Sequence, residues 1–344
     1  MSMTSVIEMF VVFKLWLCIF ISLASTLVNA EISSNTLAII VNDNDKFSLE
    51  ISEYYRERRI IPAQNIIHVQ FNNNSPVLPV AEFIKLKKQV ENSITENIQA
   101  YMLTWKLPYR VGCMSITSAF TFGFDKKYCS TGCARTEKSQ YYNSDSKNPF
   151  DDYNIRPAMS LAANSIEQGK KLIDRGILSD ASYPAGTGYL VSTNDKARNV
   201  RSVNYNKIIN TFPKLPLLKL INSDYIENRT DILFYFTGAK WVERLNSNKF
   251  VPGAIADHLT STGGVFENNK QMSILKWIDA GVTGTYGTVI EPCNYKEKFP
   301  NPAIIIKKYT SGETLIEAYW KSVAWPGEGI FVGEPLSSPY STRE

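Results

Sequence analysis

The feature that most constrains the fold is a regular alternation of short apolar runs with helical patterns. Residues 37–41 form an unbroken run of strand type, and residues 48–55 place apolar side chains at helical spacing. Another strand is predicted at residues 66–69, a second helix at 80–99 and a third strand at 101–105. This β-α-β order predicts an α/β fold in which helices flank a mostly parallel sheet.

The same alternation returns after an irregular middle segment. A helix is predicted from Ser165 to Gly176, and strands are predicted at residues 188–193, 232–236 and 282–290. We expect one α/β domain after a leader, divided as follows: leader, 1–30; N-terminal β-α-β half, 31–110; loop-rich insertion that contains cysteines, 111–160; C-terminal half, 161–344.

The leader is predicted from an apolar core followed by small residues. The core at residues 15–21 leads to Val28-Asn29-Ala30, a small-residue cleavage pattern before Glu31. The apolar run after Lys14 falls short of the roughly 20 residues that span a bilayer. We therefore expect cleavage, export to the periplasm or the extracellular space, and no stable membrane insertion afterwards.

Charge and motifs exclude several functional classes. The chain carries 37 Lys and Arg against 33 Asp and Glu, and the two signs are interspersed, so a nucleic-acid partner is not expected. It contains no phosphate-binding Gly-Lys loop, no His-Glu-x-x-His helix and no Gly-x-Ser-x-Gly elbow. We predict neither a cofactor nor a metal site, and the oligomeric state is left open.

Four cysteines follow the leader, and an even number in an exported chain predicts two disulfides. These are Cys113, Cys129, Cys133 and Cys293. All three pairings are possible; one of them closes a small loop between Cys129 and Cys133 and leaves the distant pair to bridge the chain. Neither His68 nor His258 lies near that pair in sequence, which favours disulfides over zinc.

A thiol–imidazole pair is the candidate catalytic group. A nucleophilic Cys293 needs a base, and His258 is the serious candidate, with Asp257 or Glu291 as the orienting carboxylate. In the alternative interpretation, His258 packs in or near a helix around residues 255–259, and Cys293 is a disulfide partner or an inert thiol.

Candidate binding residues follow three of the predicted strands. Asp43 and Asp45 come after the first strand and serve either as cation ligands or as turn and capping residues. Asn194 and Asp195 directly follow a later strand, where parallel sheets gather ligands. Arg198 suits a carboxylate or phosphate, and a solvated surface position is the alternative.

Aromatic side chains give a further candidate surface. Tyr141, Tyr142, Tyr153 and Trp241 are suited to line a carbohydrate- or peptide-binding cleft by stacking, although aromatic residues are also ordinary core material in a chain of this size.

Four segments together resemble an uncharacterised family of exported bacterial proteins that occurs with the exosortase/PEP-CTERM protein-sorting system. They are residues 252–264, 277–295, 312–320 and 331–336. The resemblance extends over nearly the whole chain after the leader. It implies a compartment and a cellular context, and it implies no activity.

A more distant resemblance is to gingipain-type, caspase-like cysteine peptidases. Residues 234–238 resemble the strand before their Gly-His, and Gly333-Glu334-Pro335 resembles their late Gly-Asp-Pro. Ala239 stands where the histidine would be, and residues 260–263, where the cysteine would fall, contain none. The resemblance therefore implies a three-layer caspase-like architecture without the peptidase dyad in its place.

Two functions remain open at this point. The first is an accessory or binding protein of the cell envelope, on a degenerate caspase-like scaffold, whose partners are envelope proteins or peptides. The second is a peptidase-like cysteine hydrolase with Cys293 as nucleophile and His258 as base.

Overall fold

Strands and helices alternate along the protein as the sequence predicts. The computed structural model describes residues 31–213, 217–267 and 270–342, so the predicted leader at 1–30 lies outside the described residues. The strands are β1 Leu37–Asn42, β2 Ile66–Val69, β3 Val77–Leu78, β4 Ala100–Leu103, β5 Arg110–Val111, β6 Met114–Ser115, β7 Ala158–Ser160, β8 Thr187–Ser192, β9 Leu217–Asn222, β10 Ile232–Gly238, β11 Phe250–Leu259, β12 Gly284–Thr288 and β13 Gly329–Gly333. The α-helices are α1 Lys46–Arg59, α2 Val80–Ser93, α3 Ile116–Phe122, α4 Pro149–Tyr153, α5 Ile166–Ser179, α6 Tyr205–Thr211, α7 Leu275–Asp279, α8 Pro302–Thr310 and α9 Leu315–Ser322.

The central sheet consists of two parallel halves that run in opposite directions. Its ten strands follow the order β2-β1-β4-β7-β13-β12-β11-β10-β8-β9. Neighbouring strands are parallel except β12 and β13, which pair antiparallel with Gly284 opposite Gly333 and Thr288 opposite Gly329. The carboxyl ends of the two halves therefore lie at opposite edges of the sheet. We call the five strands from β12 to β9 the C-terminal half-sheet, and the edge where they end its carboxyl edge.

The central strands are buried along their whole length because helices cover the sheet. All six residues of β1 and all seven of β10 are buried, which explains why both read as continuous apolar runs rather than as alternating patterns. The predicted start of α1 is confirmed, since the Asp45 carboxylate accepts a hydrogen bond from the Phe47 amide at 2.9 Å. The predicted α/β class with a mostly parallel, helix-flanked sheet is thus confirmed.

Two local predictions differ from the structure. The helix considered around residues 255–259 is wrong, because these residues end β11, where they are buried between β10 and β12. The predicted insertion at 111–160 contains α3 and α4 and ends in β7, which lies in the central sheet between β4 and β13. Among the described residues, no helix has both the length and the apolarity required to cross a membrane.

Candidate functional site

The carboxyl edge of the C-terminal half-sheet brings several predicted residues together. β8, β10 and β11 end there, and the turn after β8 carries Asp195 and Arg198. Loops at the carboxyl ends of parallel strands form the usual ligand site of such sheets. This edge is therefore the candidate functional site.

Arg198 connects the loops that follow β8 and β11. Its Nη1 donates to Asp195 Oδ2 at 2.8 Å, and its Nε donates to Thr260 Oγ1 at 3.0 Å. Thr260 in turn donates to Gln271 Oε1 at 2.8 Å, which also accepts the Thr262 amide at 2.9 Å. Because the Asp195–Arg198 pair is partly exposed, it contributes little to stability, and its effect is to fix the geometry of these loops.

Gly238 permits this arrangement at the end of β10. A Cβ atom on Gly238 would lie 2.0 Å from the carbonyl oxygen of Arg198, so any other residue would push the turn after β8 away. Asn194, in the same turn, faces a different partner: its amide donates to Asp224 Oδ1 at 2.7 Å.

A buried ion pair lies beneath the edge. Arg201 Nη2 donates to Asp257 Oδ1 at 2.5 Å and to the Thr237 carbonyl at 2.7 Å, and both charged side chains are almost fully buried. Burial raises the pKa of Asp257, while the charge of Arg201 opposes that rise. Asp257 therefore holds Arg201, and the prediction that it orients His258 is wrong.

His258 is buried with both ring nitrogens in use. Its Nε2 donates to the Met272 carbonyl at 3.0 Å, and its Nδ1 accepts the indole N–H of Trp277 at 3.0 Å. The carbonyl can only accept and the indole can only donate, so these partners select one neutral tautomer. Burial lowers the pKa of His258 to about 4. An imidazole held in this way has no lone pair free to act as a general base.

The sulfur of Cys293 is bonded to Cys133, and the second disulfide joins Cys113 to Cys129. Two disulfides were predicted correctly, and of the three pairings that the sequence left open, the one with a small loop between Cys129 and Cys133 does not form. A cysteine in a disulfide has no thiolate, so Cys293 is not a nucleophile in this structure. Glu291 accepts the amide of Cys293 at 2.8 Å and so stabilises a local turn. The predicted catalytic group is therefore not assembled.

An open groove runs beside the Cys293 loop. We call it the edge groove; its volume is about 600 Å³, and its lining is Lys196, Asn199, Val200, Val203, Asn294, Tyr295, Lys296 and Glu297. Lys296 and Glu297 also line a smaller hollow of about 140 Å³, to which Tyr142 and the buried Arg201 contribute. The Cys133–Cys293 disulfide thus ties one wall of the groove to the segment at 111–160.

The remaining predicted residues lie elsewhere. Asp43 and Asp45 follow β1, whose carboxyl end is at the opposite edge of the sheet. Asp43 Oδ1 contacts His68 Nδ1 at 2.6 Å, and Asp45 caps α1, so the capping interpretation describes Asp45 correctly. In the part of the chain that the structure describes, no three His, Cys, Asp or Glu side chains are grouped so that they could hold a metal ion.

Sequence reasoning missed Thr260 and Gln271, which link Arg198 to the loop after β11. Their polar types carry no signal of their own, because Thr and Gln residues occur throughout the chain and residue type alone does not say which of them lie at this edge. Position supplies the signal: Thr260 directly follows β11, so recognising that strand in the sequence would have placed Thr260 at the edge.

Comparison with known proteins adds little to this geometry. No protein-family model matches the chain, and no curated protein matches it. A solved structure described as "Structure of Protease" is similar with a TM-score of 0.47 and 11% identity, over 90% of this chain and 80% of that chain. A similarity at this level assigns no chemistry, and the resemblance to an exosortase-associated family stays a prediction.

Proposed function

We propose that this protein is an exported, non-catalytic binding protein of the cell envelope, which holds peptide segments of envelope proteins in the edge groove. The observation that carries this proposal is the state of its two candidate catalytic groups. Cys293 is in a disulfide, and both nitrogens of His258 are occupied in the core. A cysteine hydrolase needs both groups free.

Export is supported by the cysteines and by the predicted leader. Disulfides persist in oxidising compartments such as the periplasm and the cell exterior, and they are rare in the cytosol. All four cysteines after the predicted leader are paired. The exosortase-associated context inferred from the sequence agrees with this compartment.

The lining of the edge groove suits an extended peptide. Val203 is 75% exposed, and it lies beside the partly exposed Val200 and Tyr295, which together offer an apolar strip for side chains. Asn294 adds an amide group that can bond a peptide backbone, whereas the Asn199 amide holds the turn after β8 by donating to Ser192 Oγ at 3.0 Å and to the Thr193 carbonyl at 2.8 Å. The volume of about 600 Å³ falls within the range of ligand sites in proteins.

Three measurements on the protein purified from the exporting cell test the proposal. Thiol titration is expected to find no free cysteine, and a fluorogenic peptide library is expected to remain uncleaved. Peptides selected from a random display library should lose about tenfold or more in affinity with Val203→Asp, because a buried carboxylate would replace an apolar contact.

Leu178→Asp is the matched control, since Leu178 is 67% exposed and lies on α5, outside the groove. It should bind the selected peptides as the unchanged protein does. If the protein cleaves the library and Cys293→Ala abolishes that cleavage, the proposal is wrong and the protein is a cysteine hydrolase. If Val203→Asp and Leu178→Asp weaken peptide affinity equally, the edge groove is not the binding site.

A further inference from the structure

Trp241 differs from the buried tryptophans of this protein. Its side chain is 46% exposed, and within the described residues its indole makes no hydrogen bond and no ring contact. The three fully buried tryptophans all donate their indole N–H groups, to the Pro108 carbonyl, His258 and the Ala158 carbonyl; they are Trp105, Trp277 and Trp320. Trp241 therefore presents a large apolar ring and an unused donor to solvent.

This ring lines two hollows. The larger, of about 600 Å³, is lined by Trp241 with Arg244, Asn246, Ser247 and Lys276 among others, and we call it the Trp241 hollow. The smaller, of about 270 Å³, shares Trp241 and Lys276 with it. An exposed aromatic ring that lines two hollows, with polar side chains around it, has the composition of a small-ligand site.

The charges around the Trp241 hollow favour an anion. Within the described residues, neither Arg244 nor Lys276 forms an ion pair or a side-chain hydrogen bond. Asp279, the one acid in the lining, accepts Asn164 Nδ2 at 2.9 Å, and its charge acts on the half-buried guanidinium of Arg175. Two cations are thus available to a ligand, and guanidinium is well suited to a carboxylate.

The other lining groups limit the kind of anion. Asn246 offers an amide group to ligand hydroxyls. The Ser247 hydroxyl donates to the Arg244 carbonyl at 2.8 Å and accepts the Asn228 amide at 3.2 Å, so it can accept one further hydrogen bond from a ligand hydroxyl. The lining of the Trp241 hollow contains no second aromatic ring to enclose a planar base or an aromatic acid. A ring with one apolar face, several hydroxyls and a carboxylate meets all of these groups.

We infer that the Trp241 hollow binds an acidic saccharide of the hexuronic type. The C–H face of a sugar ring stacks on Trp241, the carboxylate lies between Arg244 and Lys276, and the hydroxyls bond to Asn246 and Ser247. This site is separate from the edge groove, since the two share no lining residue, and the inference goes beyond the proposed peptide binding.

Calorimetric titration of the exported protein with trigalacturonic acid tests this inference, and maltotriose is the neutral probe of equal length. Trigalacturonic acid is expected to bind and maltotriose to bind about tenfold more weakly or worse, because it lacks the carboxylates. Trp241→Ala should weaken binding about tenfold, whereas Trp241→Phe, which keeps a ring, should stay within about threefold of the unchanged protein.

Two charge variants separate the carboxylate contacts from general packing. Arg244→Gln and Lys276→Gln are each expected to weaken trigalacturonic acid about fivefold, to leave maltotriose unchanged and to reduce the salt dependence of binding. Val203→Asp in the edge groove is the control and should leave both titrations as they were.

Three results would overturn the inference. The first is no binding of trigalacturonic acid at about 10 mM, where even a millimolar site is mostly filled. The second is equal affinity for maltotriose, which would exclude the acidic class, and the third is unchanged binding in Trp241→Ala, which would exclude the site. None of these results alters the thiol count or the edge-groove titration, so this inference and the proposed function can fail separately.

Discussion

At the scale of single residues, His258 is a core histidine whose protonation acts against the fold. Burial lowers its pKa to about 4 in the folded protein, from 6.5 in an exposed histidine. Between these two values the unfolded chain binds the proton and the folded chain does not, so the free energy of unfolding falls as the pH drops from 6.5 towards 4. The full effect is about 3 kcal/mol.

We therefore predict that His258→Gln removes this pH dependence. Denaturant unfolding at several pH values between 4 and 7 should give a slope against pH that is smaller in the variant than in the unchanged protein. The buried acids Asp257, Glu317 and Glu328 have raised pKa values, which act on stability in the opposite sense. Because both proteins contain these acids, comparing the two slopes cancels their contribution. His68→Gln removes an exposed imidazole and is the control; if it alone abolished the slope, this account of His258 would be wrong.

At the scale of elements, Glu334 holds the segment after β13 to α1. Its Oε1 accepts the Tyr55 hydroxyl at 2.5 Å, and Arg59 donates Nη2 to Oε2 at 2.7 Å. Arg59 also contacts Asp180, just beyond α5. Glu334 is fully buried, so these bonds satisfy a charge that water cannot reach. The Gly-Glu-Pro segment noted in the sequence is therefore a structural anchor.

Breaking this anchor should be costly, while an exposed pair close by should matter little. Glu334→Gln is expected to lower the free energy of unfolding by about 3 kcal/mol, because it leaves Arg59 buried with less countercharge. Asp174→Asn removes the partner of Arg58, a pair of 3.1 Å that is nearly half exposed, and should lower it by less than about 1 kcal/mol. Urea unfolding of both variants checks the comparison, and similar losses would contradict it.

The elements themselves were largely predictable, because local pattern determines them. The strands at 37–41 and 232–236 and the helix that starts after Ser165 appear within a few residues as β1, β10 and α5. β13 was missed, since five residues that begin and end in glycine carry too little period to recognise. β11 was partly taken for a helix, because its last seven residues are all buried and therefore show no alternation.

At the scale of the whole molecule, the candidate site depends on relations that no local pattern contains. The antiparallel pair of β12 and β13 reverses one half of the sheet, which separates Asp43 from Asp195 although both follow parallel strands. The cysteine pairing is of the same kind. Spacing along the chain left three pairings open, among them a loop between Cys129 and Cys133, whereas the fold brings Cys133 to Cys293.

The two disulfides should differ in their contributions to stability because they close loops of very different length. Cys133 and Cys293 are 160 residues apart, and Cys113 and Cys129 are 16 apart. Loop entropy alone then predicts about 5 kcal/mol for the long closure and about 3 kcal/mol for the short one.

The contribution of each disulfide is best measured in a variant that keeps only that disulfide, made by replacing the other two cysteines with Ala. Unfolding each variant with and without reductant holds its sequence fixed, so the buried side chain of Cys129 does not enter the difference. A larger loss on reducing the short loop would show that contacts in the folded state, rather than the entropy of the unfolded chain, set the contribution of the bond beside the edge groove.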